Sequence, residues 1–106
     1  VQFDLADTSN IDDLEKAFKP NTKMVFVETP TNPVMTVTDL AAVSELAHAR
    51  GSKVVCDNTF MSPYFQKPID LGVDIVVHST RATDLRFEHT DHHPVVLEFS
   101  IRVTAP

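Results

Sequence analysis

Three short apolar runs constrain the fold of this chain more than any other feature. All three runs are rich in β-branched residues. Their sequences are Met24-Val25-Phe26-Val27, Val54-Val55-Cys56 and Ile75-Val76-Val77. Uninterrupted apolar runs of this length are typical of parallel strands covered on both faces, whereas a strand with one solvated face alternates. We therefore expect three strands buried on both sides.

A helical segment separates the first two runs. Its apolar side is formed by Leu40, Val43, Leu46 and Ala47, with Ser44, Glu45 and His48 on the opposite side. Thr38 is the predicted N-cap, and Gly51 stands where a left-handed residue ends a helix. A shorter helix before the first run is indicated by a cap at Ser9 or Asn10 and by Pro20 as its stop. This alternation predicts an α/β fold with a mostly parallel sheet.

Polar residues follow each predicted strand. They are Glu28-Thr29-Pro30-Thr31-Asn32-Pro33, Asp57-Asn58-Thr59 and His78-Ser79-Thr80. The carboxyl ends of parallel strands meet at one edge of a sheet, where open α/β sheets bind their ligands. We expect a polar ligand site there, although these groups alone do not identify the ligand. Pro30 and Pro33 predict a fixed bend in which an X-Pro bond is a candidate for the cis form.

Composition excludes several classes of function. The only two glycines, Gly51 and Gly72, cannot form a dinucleotide-binding fingerprint or a P-loop. A net charge of -6, with both signs interspersed, argues against a nucleic-acid partner. No apolar run approaches the roughly 20 residues that span a bilayer. We therefore expect a soluble protein with no membrane partner. The single cysteine, Cys56, allows no disulfide framework, which suits a cytoplasmic location.

The three polar clusters and the residues around them resemble the Cys/Met-metabolism family of pyridoxal-phosphate (PLP) enzymes, the trans-sulfuration enzymes. The resemblance is carried by residues 28–33, 55–66 and 71–80, and the run Asn-Thr-Phe-Met-Ser-Pro-Tyr-Phe is most like the γ-acting lyases and synthases on cystathionine or methionine. It implies that residues 1–80 are a fragment of an aspartate-aminotransferase-like large domain, PLP fold type I. It also implies a carbon-sulfur lyase or synthase acting on a sulfur amino acid, and a homotetramer for the intact enzyme.

The resemblance assigns cofactor-binding roles to four residues. Asp57 is expected to pair with the pyridinium nitrogen of PLP, a charge-assisted hydrogen bond that favours the protonated ring. Asn32 is expected to bind the phenolic oxygen, Thr59 to pack beside the ring, and Ser79 to bind the phosphate. Turn formation is the alternative role for Asp57, Asn32 and Thr59.

The resemblance stops inside the third cluster. The second phosphate-binding threonine of the family falls on Arg81, and the Schiff-base lysine falls on Ala82. Arginine stays protonated and alanine has no amine, so neither can attach PLP covalently. We therefore expect no catalytic residue in this chain and no activity from it alone. Residues 81–106 are expected to be a non-family tail, produced by a frame change, a retained intron or a joined segment.

Two other functions stay open. The first is a non-catalytic fragment that binds full-length subunits, and the uncovered apolar faces of a partial sheet predict self-association or insolubility. The second is a small metal-binding module in the tail, with Glu88, His89, Asp91, His92 and His93 as possible ligands. We expect no metal site there, because adjacent histidines rarely bind one ion and no cysteine supports them. In the same tail the alternation of Leu97, Phe99, Ile101 and Val103 predicts one added strand.

Overall fold

A computed structural model describes the backbone of residues 1–82 and 95–101 and the side chains of residues 1–78. The elements in chain order are helix α1 (Ile11–Ala17), strand β1 (Met24–Glu28), helix α2 (Leu40–Ala49), strand β2 (Lys53–Asp57), helix α3 (Ser62–Phe65), a 3₁₀ turn (Pro68–Leu71), strand β3 (Ile75–Ala82) and strand β4 (Val95–Ile101). The described strands form one sheet in the order β1-β2-β3-β4. Strands β1 to β3 are parallel and β4 is antiparallel to β3, which confirms the α/β fold with a mostly parallel sheet. The alternating Leu97, Phe99 and Ile101 lie in β4, and Val103 lies outside the described residues.

The caps of both helices are formed by short polar side chains. Asn10 caps α1, as one of the two predicted alternatives. Asp39 caps α2 by accepting a hydrogen bond from a backbone N–H in the first turn, so the prediction of Thr38 was wrong. Thr38 is buried instead, and its N–H donates to Oγ1 of Thr29 at 3.0 Å. Gly51 follows α2 with a φ of +70°, which confirms its predicted left-handed conformation.

The core lies between one face of the sheet and helices α1 and α2. It comprises Leu14, Val25, Val27, Leu40, Val43, Ala47, Val54, Cys56, Val73 and Val76. The other face is open at β1, where Met24 is 54% and Phe26 61% exposed. Coverage of both faces was therefore wrongly predicted for β1, because α1 and α2 pack on the same side. Strand β2 does have buried residues on both faces, since Val54, Val55 and Cys56 are all buried.

Asp74 joins the beginnings of two strands to the end of a helix. Its Oδ2 accepts hydrogen bonds from the Val54 N–H and from Nε2 of His48, both at 2.8 Å. Its Oδ1 accepts a hydrogen bond from Nζ of Lys53 at 3.0 Å. Burial raises the pKa of Asp74, but the three hydrogen bonds together outweigh burial and hold this pKa at about 2. The carboxylate is thus stabilised in its charged form at the sheet edge opposite the strand ends.

We predict that Asp74→Asn lowers the free energy of unfolding by about 2 kcal/mol at neutral pH, since a carboxyl pKa held at about 2 in the fold corresponds to that amount. A lowered pKa stabilises the fold above the unfolded-state pKa, and this contribution disappears as the pH falls through the folded-state value. Urea unfolding at a series of pH values should show the two proteins converging in acid. Asp70→Asn, at an exposed carboxylate in the neighbouring turn, is the control. Equal losses for both variants would contradict the role of Asp74.

Gly72 allows the turn before β3 to lie directly against helix α2. It has a φ of +100°, and a Cβ built there would lie 2.7 Å from the Cβ of Ser44. Ser44 is only 2% exposed, so its predicted place on the solvent side of α2 was wrong. The helix buries this serine because a glycine faces it. Any side chain at residue 72 would require both an unfavourable backbone conformation and a shift of α2.

A pair of glycine substitutions separates these two requirements. Gly51 also has a positive φ, but a Cβ there would have nothing within 4 Å. We predict that Gly51→Ala costs about 1 kcal/mol through backbone conformation alone. Gly72→Ala should cost about 1–3 kcal/mol more, because the added methyl overlaps Ser44. Denaturant unfolding measures both values, and a similar loss for the two variants would show that the contact does not constrain the fold.

Candidate functional site

The carboxyl ends of the parallel strands form the candidate site. In the β1–β2 ladder Glu28 lies beside Asp57, and in the β2–β3 ladder Asp57 lies beside Val77. The prediction that the polar clusters share one edge is therefore confirmed for these strand ends. Ser79 continues β3 just beyond Val77, after an irregularity in the register with β4. Backbone pairing thus brings three segments that are far apart in the sequence to one edge.

Asp57 ends β2 with a half-buried side chain. Its Oδ1 accepts a hydrogen bond from the N–H of Thr59 at 2.9 Å, so the two residues form a tight turn. This is the turn role that the sequence offered as an alternative. It occupies one carboxylate oxygen, and the described part of the chain sends no hydrogen bond to Oδ2. A carboxylate has further acceptor capacity at that oxygen, so Asp57 can form the turn and still accept a hydrogen bond from a ligand.

Asn32 lies in the loop after β1, between two prolines. The Thr29–Pro30 and Asn32–Pro33 peptide bonds are both cis. The sequence had indicated the cis form as a candidate for an X-Pro bond in this bend. The N–H of Asn32 donates to Oε1 of Glu28 at 3.3 Å, which fastens the loop to the end of β1. The side chain of Asn32 is exposed at this edge. Its amide is therefore accessible to a ligand.

A buried amide network joins the loop after β1 to the loop after β2. Asn58 is 0% exposed, and its Nδ2 donates to the carbonyl oxygen of Gln66 at 3.1 Å. Nε2 of Gln66 donates in turn to Oδ1 of Asn58 at 2.9 Å and to the carbonyl oxygen of Thr29 at 3.1 Å. The sequence reasoning missed Gln66. The available signal was Asn58 itself, because an amide directly after a buried strand needs a partner.

Cys56 precedes Asp57 in β2 and is fully buried. Burial, and to a smaller extent the charge of Asp57, raises the pKa of the thiol to about 12. The thiolate is the reactive form of cysteine, so Cys56 does not act as a nucleophile at neutral pH. Its contribution to the molecule is packing in the core.

Several predicted residues lie beyond the described side chains. The backbone of Ser79 belongs to β3, and its phosphate-binding role stays a prediction. The possible tail ligands, Glu88, His89, Asp91, His92 and His93, lie outside the described residues altogether. Among the described side chains, no group of three or more His, Cys, Asp or Glu residues could hold a metal ion. None of the helices described is long and apolar enough to cross a membrane.

Comparison with known proteins decides the family. Residues 1–83 match the family described as Cys/Met metabolism PLP-dependent enzyme. The chain belongs to this family. It is 54% identical over 79 residues to a cystathionine gamma-lyase of Dictyostelium discoideum, covering 74% of this chain and 20% of that protein. A cystathionine gamma-lyase of Bacillus subtilis is 45% identical over 91 residues, covering 86% of this chain and 24% of that protein.

A solved structure supports the same assignment. The cystathionine gamma-lyase from Lactobacillus plantarum, complexed with L-serine, superposes with a TM-score of 0.71 at 52% identity, over 73% of this chain and 20% of that chain. The fold is therefore a partial fold type I large domain. The chain spans about a fifth to a quarter of the length of the curated relatives it matches. The family match ends at residue 83 and the Bacillus alignment extends further, so a boundary between residues 80 and 81 stays a prediction.

Membership of this family implies pyridoxal phosphate as the cofactor. The strand ends fit the pyridine end of that molecule, since Asp57 has a carboxylate oxygen to which no described residue donates, and Asn32 has an exposed amide. An anionic acceptor is the group that a protonated ring nitrogen requires. The prediction that the family's lysine falls on Ala82 concerns a residue beyond the described side chains and stays a prediction.

Proposed function

We propose that this chain is a fragment of a PLP-dependent enzyme of trans-sulfuration, a carbon-sulfur lyase or synthase, and that it binds the cofactor without covalent attachment. The observation that carries the proposal is Asp57, which ends an interior strand with one carboxylate oxygen that receives no hydrogen bond from the described residues. An amino-acid substrate, a homotetramer and a cytoplasmic location belong to the same proposal for the intact enzyme. The relatives from Dictyostelium discoideum and Bacillus subtilis, both named cystathionine gamma-lyase, support this proposal.

The proposed roles follow from the chemistry of each side chain. When bound, PLP supplies an electron sink for a substrate carbanion. Asp57 holds a proton at the ring nitrogen and thereby maintains the charge that makes the ring a good acceptor. Asn32 donates its amide to the phenolic oxygen, Thr59 packs beside the ring, and Ser79 binds the phosphate through its hydroxyl. The turn between Asp57 and Thr59 fixes the carboxylate and the ring neighbour with respect to each other.

The same proposal includes the absence of catalysis by this chain alone. In the family pattern the lysine position falls on Ala82, which is the last residue of β3. A primary amine that loses its proton is required for covalent attachment and for proton transfer at the substrate, and Arg81 cannot supply one. Lys23 and Lys53 stand at the opposite ends of β1 and β2, and Lys67 follows Gln66 outside the strands, so none of these three occupies the family's lysine position on β3. The chain is therefore a cofactor-binding fragment without its reactive group.

A second candidate function, binding to full-length subunits, is favoured by one observation. Met24 and Phe26 are more than half exposed on β1, which is an edge strand of the described sheet. Phe3 and Leu5 in the preceding segment are 81% and 92% exposed. Apolar side chains at an edge strand with unpaired backbone groups favour association with another chain. We propose that this surface, Met24 and Phe26 on β1, mediates self-association or binding to an intact subunit.

Cofactor binding is tested with pyridoxine phosphate, the alcohol analogue of PLP, because it cannot form imines with surface lysines. We predict that the chain binds it and that Asp57→Asn weakens binding about 10- to 100-fold, the loss of one charge-assisted hydrogen bond. Asp70→Asn, in the turn before β3, should leave binding unchanged. Fluorescence titration measures all three affinities. Absence of binding by the unchanged chain would refute the proposed function.

Covalent attachment is tested with PLP itself and borohydride. We predict that the unchanged chain yields no stoichiometric reduced adduct at any one residue. Ala82→Lys combined with Arg81→Thr should yield an adduct that peptide mapping places at residue 82, since the substitutions restore the amine and the hydroxyl of the family pattern. A single stoichiometric adduct on one of the natural lysines would overturn the claim that this chain cannot hold PLP covalently.

The second candidate predicts association through β1. Sedimentation velocity should show oligomers of the chain, and Phe26→Ser should shift them toward monomer, because the substitution removes exposed apolar area from the sheet. Val37→Ser, at an exposed valine outside the sheet, is the matched control. Co-sedimentation with a full-length family member then tests subunit binding. If the chain is a monodisperse monomer and does not co-sediment with the full-length protein, subunit binding through β1 is excluded.

A further inference from the structure

We infer that Gln66 is a positioning residue for the cofactor site, because its side-chain amide ties the segment bearing Asp57 and Thr59 to the segment bearing Asn32. The inference rests on the proposed function, since positioning has meaning only if these residues hold the cofactor. Gln66 itself follows helix α3 and is half-buried behind the strand ends.

The first connection is to the loop after β2. Asn58 stands between Asp57 and Thr59 and is 0% exposed. It exchanges two hydrogen bonds with Gln66, one from its own Nδ2 to the Gln66 carbonyl oxygen at 3.1 Å and one from Gln66 Nε2 to its Oδ1 at 2.9 Å. Its N–H also donates to the carbonyl oxygen of Val77 at 2.8 Å. The residue flanked by the two predicted cofactor contacts is thus held from both sides.

The second connection is to the loop after β1. The same Nε2 of Gln66 donates to the carbonyl oxygen of Thr29 at 3.1 Å. Thr29 is 1% exposed and is joined to Pro30, the first residue of the bend that carries Asn32. An amide nitrogen carries two protons, and here they go to acceptors on two different segments. One side chain therefore sets the separation between the two loops.

The ladder hydrogen bonds alone do not set this separation. The last register pair between β1 and β2 is Glu28 with Asp57, and Asn32 and Thr59 both lie beyond it. The backbone hydrogen bond that follows this pair, from the Thr29 N–H to the Asp57 carbonyl oxygen, is long at 3.4 Å. A site of this kind needs its contacting groups held within about 0.5 Å, which requires support from neighbouring side chains. Gln66 supplies that support.

Removing the amide leaves two buried acceptors without their donor. The loops can satisfy Asn58 and Thr29 only by moving apart to admit water or by rotating the Asn58 amide. Either change displaces Asp57 with respect to Asn32. The ring nitrogen and the phenolic oxygen of a bound cofactor then cannot both be contacted at full strength. The expected effect is therefore weaker binding together with poorer protonation of the ring.

The test uses the full chain, pyridoxine phosphate as probe, and Gln66→Met, which keeps the length of the side chain and removes its donors. We expect affinity to fall about tenfold, the effect of one well-formed hydrogen bond. The chemical shift of the pyridine nitrogen, measured by NMR on bound isotope-labelled probe, should move toward the unprotonated value. A purely structural role would leave the shift of the bound probe unchanged, because the molecules that bind would still be correctly arranged.

Two control variants separate positioning from loss of stability. Ser52→Ala removes a buried side-chain hydrogen bond, from Ser52 Oγ to the Thr22 carbonyl oxygen at 2.9 Å, just before the opposite end of β2. It should lower stability without changing probe affinity or the nitrogen shift. Gln2→Met, at the other glutamine of the chain, is exposed and should change neither. A reduced affinity in Ser52→Ala equal to that in Gln66→Met would overturn the inference.

The remaining outcomes distinguish the inference from the proposed function. If the unchanged chain binds the probe and Gln66→Met binds it equally well with the same nitrogen shift, the inference fails and the proposed function stands. If the unchanged chain does not bind, the proposed function fails and takes the inference with it. Should Gln66→Met not fold, the same readouts are taken from Gln66→Asn, whose shorter amide reaches at most one of the two acceptors. Unchanged binding by Gln66→Asn would equally refute the inference.

Discussion

The parallel pairing of β1, β2 and β3 is the constraint on which the rest of the structure depends. Parallel ladders require every connection to return along the sheet, so that each strand ends at the same edge. The register then sets Glu28, Asp57 and Val77 side by side, although they are distant in sequence. Helix α2 makes the return between β1 and β2 and buries its apolar side on the same face as α1. The site, the core and the open face all follow from this one arrangement.

Much of the fold was predictable because its signals are local. Strand positions follow from apolar runs, the cap at Asn10 from a short polar side chain before a helix, and the bend at Gly51 from its lack of a Cβ. The errors come from contacts between distant residues. Ser44 is buried because Gly72 packs against it. One face of β1 is exposed because helices α1 and α2 both pack on the other face of the sheet. The spacing of apolar residues predicts neither fact. It shows which face of a helix or strand is apolar, but it does not show which element packs against that face.

The candidate site divides in the same way. The location of Asp57 and Asn32 at one edge followed from strand order, and their proposed roles followed from the family pattern. The amide network around Gln66 could not be read from the sequence, because its partners are 8 and 37 residues away and no periodicity links them. Buried polar groups are satisfied by whichever partner the fold brings near. That partner is fixed by the tertiary fold and not by the local sequence.

The buried thiol of Cys56 has a consequence for how this chain can be observed. It lies in an interior strand, one residue before Asp57, and it is the only cysteine in the sequence. With a pKa of about 12 it is silent toward thiol reagents while β2 stays closed, and it becomes reactive when the strand opens. The rate at which Cys56 reacts therefore reports how often strand β2 opens. Any ligand that stabilises the strand ends should slow the reaction of Cys56 with a thiol reagent, and no cysteine has to be introduced to measure it.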